Sequence, residues 1–159
     1  MTAPHRLRPA REGEAPALGA LCVRSKAHWG YDAQFMRLSW RSLQIDATAI
    51  AEGRVFAAVD ERDQPLGVVD CAFLGDDVDL MHLFVEPSAH GQGIGRALFA
   101  TAIEWTRAQR RRTLLIASDP NAVGFYRRLG AVDAGLIESE AIPGRMLPLL
   151  KYVVDGAQA

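Results

Sequence analysis

Apolar positions along the chain change period several times, and each change marks an element. A short strand is predicted around His5 to Arg8, followed by a helix from about Glu12 to Lys26 in which Ala15, Leu18, Leu21 and Cys22 recur at helical spacing. A loop centred on Gly30 leads to a second helix, Ala33 to about Leu43, with Phe35 and Leu38 on one side, ending before Asp46-Ala47-Thr48. Three strand-like runs follow: Arg54 to Asp60, Pro65 to Leu74 and Val78 to Val85. The turn-formers Asp63-Gln64-Pro65 and Gly75-Asp76-Asp77 between them predict an antiparallel meander. Beyond a glycine-rich turn, Ile94, Leu98, Ala102 and Trp105 form a helix stripe suited to packing on a sheet. The next strand, Thr113 to Ala117, returns across that helix and is therefore predicted parallel to its neighbour. A helix from Asn121 to Leu129 stops at Gly130, and two strands, about Ala131 to Ile137 and Met146 to Val154, flank Pro143-Gly144. The tail 156–159 is expected to fray. Mixed strands with helices on both faces give an α/β (α+β) fold.

The turn within that pattern carries the strongest chemical signal. Val85-Glu86-Pro87-Ser88-Ala89-His90-Gly91-Gln92-Gly93-Ile94-Gly95-Arg96 joins a strand end to a helix through three glycines at alternate positions. Glycine admits backbone conformations closed to other residues and keeps side chains out of the way, so amides at the helix N-terminus can converge on a phosphate. A dinucleotide fingerprint would need its third glycine at 96 or 98, where Arg96 and Leu98 stand. A P-loop would need a Lys-Ser/Thr pair that residues 91–98 lack.

What remains resembles the acyl-CoA-binding motif of the GNAT superfamily of N-acetyltransferases, Q/R-x-x-G-x-G/A after a strand ending L-x-V-x-P. Leu83-Phe84-Val85-Glu86-Pro87 supplies the strand end and His90-x-x-Gly93-x-Gly95 the loop, with His90 where Arg or Gln is usual. A second segment, Ser118-Asp119-Pro120-Asn121-Ala122-Val123-Gly124-Phe125-Tyr126-Arg127-Arg128-Leu129-Gly130-Ala131, is similar to the family signature N-x-x-A/G-x-x-F-Y-x-x-x-G-F in compact form. Ala131 replaces its final Phe, which trims core packing. The element order matches as well, so the resemblance spans nearly the whole chain. It implies a single N-acetyltransferase domain, residues 1–159, with a mixed, mainly antiparallel central sheet flanked by about four helices. Ser25 to Tyr31, His82 to Val85 and Ile142 to Arg145 are further similar to a little-characterised branch of small bacterial GNAT proteins.

That resemblance implies acetyl-CoA as cosubstrate. The segment His90, Gly91, Gln92, Gly93, Ile94, Gly95 and Arg96 would hold its pyrophosphate, the backbone of Leu83, Phe84 and Val85 would pair with the pantetheine arm, and Asn121 would cap its helix and contact that arm. Tyr126 matches the family's general acid: a phenol is protonated at neutral pH and can donate to the departing thiolate. The base that accepts a proton from the amine is open between Asp79, His82 and, more weakly, Glu86. Strict alternation puts Asp79 and His82 on opposite faces of their strand, and a bulge would bring them together. Lys26, His28, Trp29 and Tyr31, in the loop between the first two helices, are the expected walls of the acceptor cleft, with cation–π capacity.

Composition narrows the partners. At 159 residues, 49% hydrophobic and 23% charged, the chain reads as one ordinary globular domain, and a net charge of −1 argues against nucleic-acid or anionic-membrane partners. Arg110-Arg111-Arg112 sits where a helix ends and suits dipole complementation. Cys22 and Cys71 have no metal or redox spacing, the four histidines form no ligand set, and no window approaches a membrane span or signal peptide. The expectations are no metal, a cytoplasmic location, an acceptor that is a small-molecule or peptide amine, and, from the family likeness, a homodimer. Two other functions stay open: a non-catalytic CoA-binding or sensor module, and a toxin-like enzyme acetylating aminoacyl-tRNA.

Overall fold

A computed structural model describes residues 4–154; the tail expectation for 156–159 lies outside them. The predicted meander forms as β2 (Val55–Val59), β3 (Pro65–Leu74) and β4 (Asp77–Val85), each antiparallel to the next, with β1 (Arg6–Pro9) added outside β2. Beyond β4 comes β5 (Thr113–Ala117), parallel to it as the intervening helix requires, then β7 (Met146–Val153) and β6 (Val132–Glu138) as an antiparallel pair. The result is one seven-stranded sheet in the order β1-β2-β3-β4-β5-β7-β6.

Helices cover both faces. The first, α1 (Ala15–Ala27), starts three residues later than its apolar spacing suggests, because Gly13 adopts a left-handed φ of 89°. Glu14 is held there by Arg8 at 2.8 and 2.9 Å and by the Arg11 amide at 2.6 Å. The second predicted helix is split into α2 (Ala33–Ser39), capped by the Asp32 side chain on the Phe35 amide at 2.8 Å, and a 3-10 turn at Arg41–Leu43. The Ser42 hydroxyl donates to the Ser39 carbonyl at 2.7 Å, a local bond of the kind that competes with helix propagation. Asp46-Ala47-Thr48, read as a terminator, instead begins α3 (Ala47–Ala51), with Asp46 capping the Thr48 amide. The remaining helices are α4 (Ile94–Ala108) and α5 (Val123–Arg128), making five among the described residues against the expected four or so.

Two cores result. Ile94, Leu98, Phe99 and Ala102 of α4 pack with Tyr126 of α5 onto Val69, Cys71, Val78 and Leu80. Leu18, Leu21 and Cys22 of α1 pack with Ala49 and Ile50 of α3 onto Val55, Ala57, Val59 and Val68. Leu18, Leu21 and Leu98 are fully or almost fully buried, each contributing about 1.5–3 kcal/mol. Ala131 fills its buried position without the bulk of the usual Phe. Both cysteines are buried and free, and burial pushes both thiols above their ordinary range, so neither is a ready nucleophile.

One irregularity positions the site. Asp70 pairs with His82 while Cys71 pairs with Leu80, leaving Met81 as an extra residue in β4. Before this bulge Val78 and Leu80 face the α4 core; after it Leu83 and Val85 do. The residues between them in the alternation, Asp79 before the bulge and His82 and Phe84 after it, therefore share the opposite face.

Candidate active site

The sheet opens where β4 and β5 part. They pair only at Val78↔Leu114 and Asp79↔Leu115, although β4 continues to Val85 and β5 to Ala117. The freed backbone edge of Met81–Val85 lines a cleft of about 780 Å3 whose other wall is Leu115–Ser118. A cleft of that size suits a cofactor-sized ligand.

At one end stands the glycine loop. Gly91 and Gly93 both have φ of 80°, and Gly93, left-handed, is the N-cap of α4 with no side-chain cap, so the first-turn amides of α4 remain open to a ligand. Gly95 serves a different purpose: a Cβ there would meet the Phe125 ring at 3.2 Å, so its absence lets α4 approach α5. His90, Gly91, Gly93, Ile94, Gly95 and Arg96 all line the cleft, whereas Gln92 does not. The His90 ring Nε2 donates to the Val85 carbonyl at 3.2 Å and its ring meets His28 edge-on at 5.2 Å. His28, expected as an acceptor wall, thus braces the glycine loop and lies outside the cleft lining.

Tyr126, Asp79 and His82 line the same cleft. Tyr126 is buried between Phe99 and Phe125, with ring centroids 5.6 and 5.0 Å away, and burial pushes its phenol well above the ordinary range, keeping it protonated. His82 is buried with both ring nitrogens engaged: Nε2 donates to the Ser42 carbonyl at 2.6 Å, and Nδ1 is hydrogen-bonded to Asp70 Oδ2 at 2.9 Å. A carbonyl oxygen only accepts, so Nε2 carries a hydrogen and has no lone pair for an incoming amine. The expectation that His82 offers a free base is corrected on that ground. Burial raises the Asp79 carboxyl above the usual carboxylate range, with the charge of Glu140 adding to the rise and His82 opposing it. Glu86 is held by Arg24 at 2.8 and 2.7 Å, which ties α1 to the end of β4.

Asp119, which lies in the second family-like segment but has no role assigned from sequence, is the centre of a polar cluster. Its Oδ2 accepts from Lys26 Nζ at 2.5 Å and from the Tyr31 hydroxyl at 2.8 Å, and its Oδ1 from the backbone and side-chain nitrogens of Asn121 at 2.8 and 2.9 Å. Asp119 therefore caps the 3-10 turn at Pro120–Ala122, the part expected of Asn121. Burial works against this carboxylate, but Lys26 and the Asn121 amide outweigh it and hold the pKa below the ordinary value. Lys26, Trp29 and Asn121 line the cleft; Tyr31 stands behind them, stacked on Phe35 at 3.9 Å. Proline at 120 made the cap hard to place by periodicity, although Asp two residues before Asn is a recognisable Asx-turn signal.

The model of the acetyltransferase (GNAT) domain family matches residues 51–130, from the end of α3 through the glycine loop to Gly130. The peptidyl-lysine N-acetyltransferase YjaB of Escherichia coli strain K12 is 31% identical over 155 residues, covering 95% of this chain and 97% of YjaB. The chain belongs to the GNAT acetyltransferase family. As a GNAT protein it is an N-acetyltransferase, transferring acetyl to an amine, and the comparisons favour that activity over the sensor and aminoacyl-tRNA readings. The GNAT fold extends over the described sheet: a GCN5-related N-acetyltransferase from Rhodopseudomonas palustris superposes with a TM-score of 0.75 at 21% identity, covering 96% of this chain and 98% of that one. The PaiA N-acetyltransferase from Thermoplasma acidophilum, solved in complex with coenzyme A, superposes with a TM-score of 0.74 at 12% identity, covering 94% and 99%. Among the described residues no helix is long and apolar enough to cross a membrane, and no group of three or more His, Cys, Asp or Glu is arranged to hold a metal.

Proposed function

We propose that this chain is a single-domain, acetyl-CoA-dependent enzyme that acetylates the ε-amine of a peptidyl lysine by direct attack in a ternary complex. The observation that carries this reading is the opened β4–β5 edge beside the glycine-capped α4, with Tyr126 and Asp79 in one cleft. Similarity to a peptidyl-lysine N-acetyltransferase supports the acceptor class. So does the lining near Asp79, where Leu74, Met81 and Ile137 offer apolar contact to an alkyl stem and Glu138 and Glu140 favour a cationic amine. The free, buried thiols of Cys22 and Cys71 are in keeping with a cytoplasmic enzyme.

In this reading the open amides around Gly91–Arg96 bind the CoA pyrophosphate, and the unpaired β4 edge at Leu83–Val85 aligns the pantetheine as an added strand. Asp79 accepts the proton of the lysine ammonium, directly or through a water. The neutral nitrogen then attacks the thioester carbonyl, a C–N bond forms, the C–S bond breaks, and the attacking nitrogen releases its surplus proton, which restores the Tyr126 phenol through solvent. Tyr126 donates its proton to the leaving thiolate, where charge appears only as that bond breaks. His82 positions the site: its bonds to Asp70 and Ser42 tie the bulge of β4 to the 3-10 turn after α2.

Acetyl-CoA is expected to raise the Tm and to release free thiol in the presence of a lysine peptide, above its uncatalysed hydrolysis. Gly93→Asp puts a Cβ at φ 80° and a negative charge at the anion cradle, and is expected to weaken acetyl-CoA binding roughly tenfold or more. A folded Gly93→Asp variant with an undiminished Tm shift would remove the loop from the cofactor site.

A further inference from the structure

Arg145 projects from a tightly folded loop between β6 and β7. The Ser139 amide donates to the Arg145 carbonyl at 2.7 Å, and the Gly144 amide to Glu138 Oε1 at 3.0 Å, so the loop ends are joined and the guanidinium has a defined origin. From there it reaches the segment after α1. Its Nη2 donates to the Tyr31 hydroxyl at 3.0 Å, and its Cζ lies 4.8 Å from the Phe35 centroid and 5.4 Å from that of Tyr31. Lys26 Nζ stands 5.3 Å from the same Tyr31 centroid. Arg145 and Lys26 both line the cleft that holds Asp79 and Tyr126.

Charge does not balance at this cluster. It holds two cations and one carboxylate, and Asp119 is engaged by Lys26 at 2.5 Å while Arg145 stands 4.0 Å away. The hydrogen bond that Arg145 makes through its side chain goes to a neutral hydroxyl, and that hydroxyl's own proton is directed at Asp119. Stacked rings steady a guanidinium without supplying a counter-charge. A planar fork with unused donors, fixed against aromatic rings at the wall of a cleft, suits a carboxylate. Lys26 offsets the negative charge of Asp119, the carboxylate that stands 4.0 Å from Arg145.

We propose that Arg145, backed by Lys26, forms a carboxylate-binding subsite in the acceptor cleft, so that the preferred acceptor carries a carboxylate near its reacting amine. The carboxylate has two possible sources, an acidic residue beside a peptidyl lysine or the α-carboxylate of free lysine. This inference rests on the reading of the cleft as the acceptor side of an N-acetyltransferase. It goes further by assigning the acceptor an anionic group that is recognised apart from the amine.

The test is a set of matched acceptors assayed with acetyl-CoA: free lysine against lysine amide, and a lysine peptide with a flanking Asp against one with Asn. The carboxylate-bearing member of at least one pair is expected to show a KM lower by roughly tenfold or more, and which pair shows it identifies the source. Arg145→Gln is expected to bring the two KM values of that pair together, and Arg145→Lys to restore part of the difference through its charge; a retained acetyl-CoA-induced Tm shift shows that each variant is folded. A second readout needs no turnover: with CoA present, calorimetry should show Nε-acetyllysine, or the acetylated Asp-flanked peptide, binding more tightly than its uncharged counterpart. Equal KM and Kd within both pairs, or an equal loss for both members in Arg145→Gln, overturns the subsite. Absence of turnover with every acceptor, alongside carboxylate-dependent binding that Arg145→Gln removes, would instead sink the lysine-acetylation reading and leave the subsite standing.

Discussion

Tyr126→Phe is expected to lower kcat by about 10 to 10^3-fold while leaving the acetyl-CoA-induced Tm shift almost unchanged. The substitution keeps the ring that packs between Phe99 and Phe125 and deletes only the hydroxyl, so the loss reports proton donation and not a damaged core. Because burial holds the phenol protonated far above neutrality, Tyr126 sets no limb of the pH profile in the working range. Single-turnover thiol release with a saturating acceptor is the measurement. Undiminished turnover would show that another group, or solvent, protonates the thiolate.

Asp79→Asn is expected to reduce kcat/KM by about 10^2 to 10^4-fold, the range for losing a positioned base. The pH dependence gives a sharper check. A protonated Asp79 cannot accept a proton, so activity should rise as pH passes upward through its pKa. Burial first, and then the Glu140 charge, place that rise above the ordinary carboxylate range. Glu140→Gln removes the second cause, so the rise should move to lower pH. His82→Ala should keep the rise but move it to higher pH, because His82 opposes the upward shift of Asp79, and should lower the Tm, since it strips a buried carboxylate, Asp70, of its partner. A pH profile that Asp79→Asn does not alter, or that His82→Ala flattens, would move the base elsewhere.

How far the chain could be read beforehand depended on the range of the interactions concerned. The β2–β3–β4 meander, the parallel return of β5 and the amphipathic α4 follow from local periodicity and turn residues, and they form where the pattern puts them. Five-residue α3 has too few turns to show a period, and its cap, Asp46, looks the same in sequence as a loop residue. The break after Ser39 depends on a serine hydroxyl choosing a backbone partner, which composition does not reveal. At the site, the glycine loop and Tyr126 belong to contiguous motifs and were therefore visible. The Asp119 cluster joins positions 26, 31, 119 and 145, brought together only by the tertiary fold, and no spacing announces it. The Met81 bulge is of the same kind: alternation alone separates Asp79 from His82, and only the register against β3 unites them.

The two cores on opposite faces of the sheet divide the molecule's evolutionary liberties. Tyr126, Ile94 and the helix that follows the glycine loop belong to the α4-side core, while α1, which carries Lys26, is anchored in the α1–α3 core. Residues packed in separate cores and sharing no partner have nearly additive effects on stability. Apart from the Arg24–Glu86 and His28–His90 contacts that join the two layers, substitutions within the α1–α3 core are therefore expected to leave the α4-side core almost untouched, which gives the side of the cleft proposed for the amine more room to diverge than the side proposed for the acyl donor.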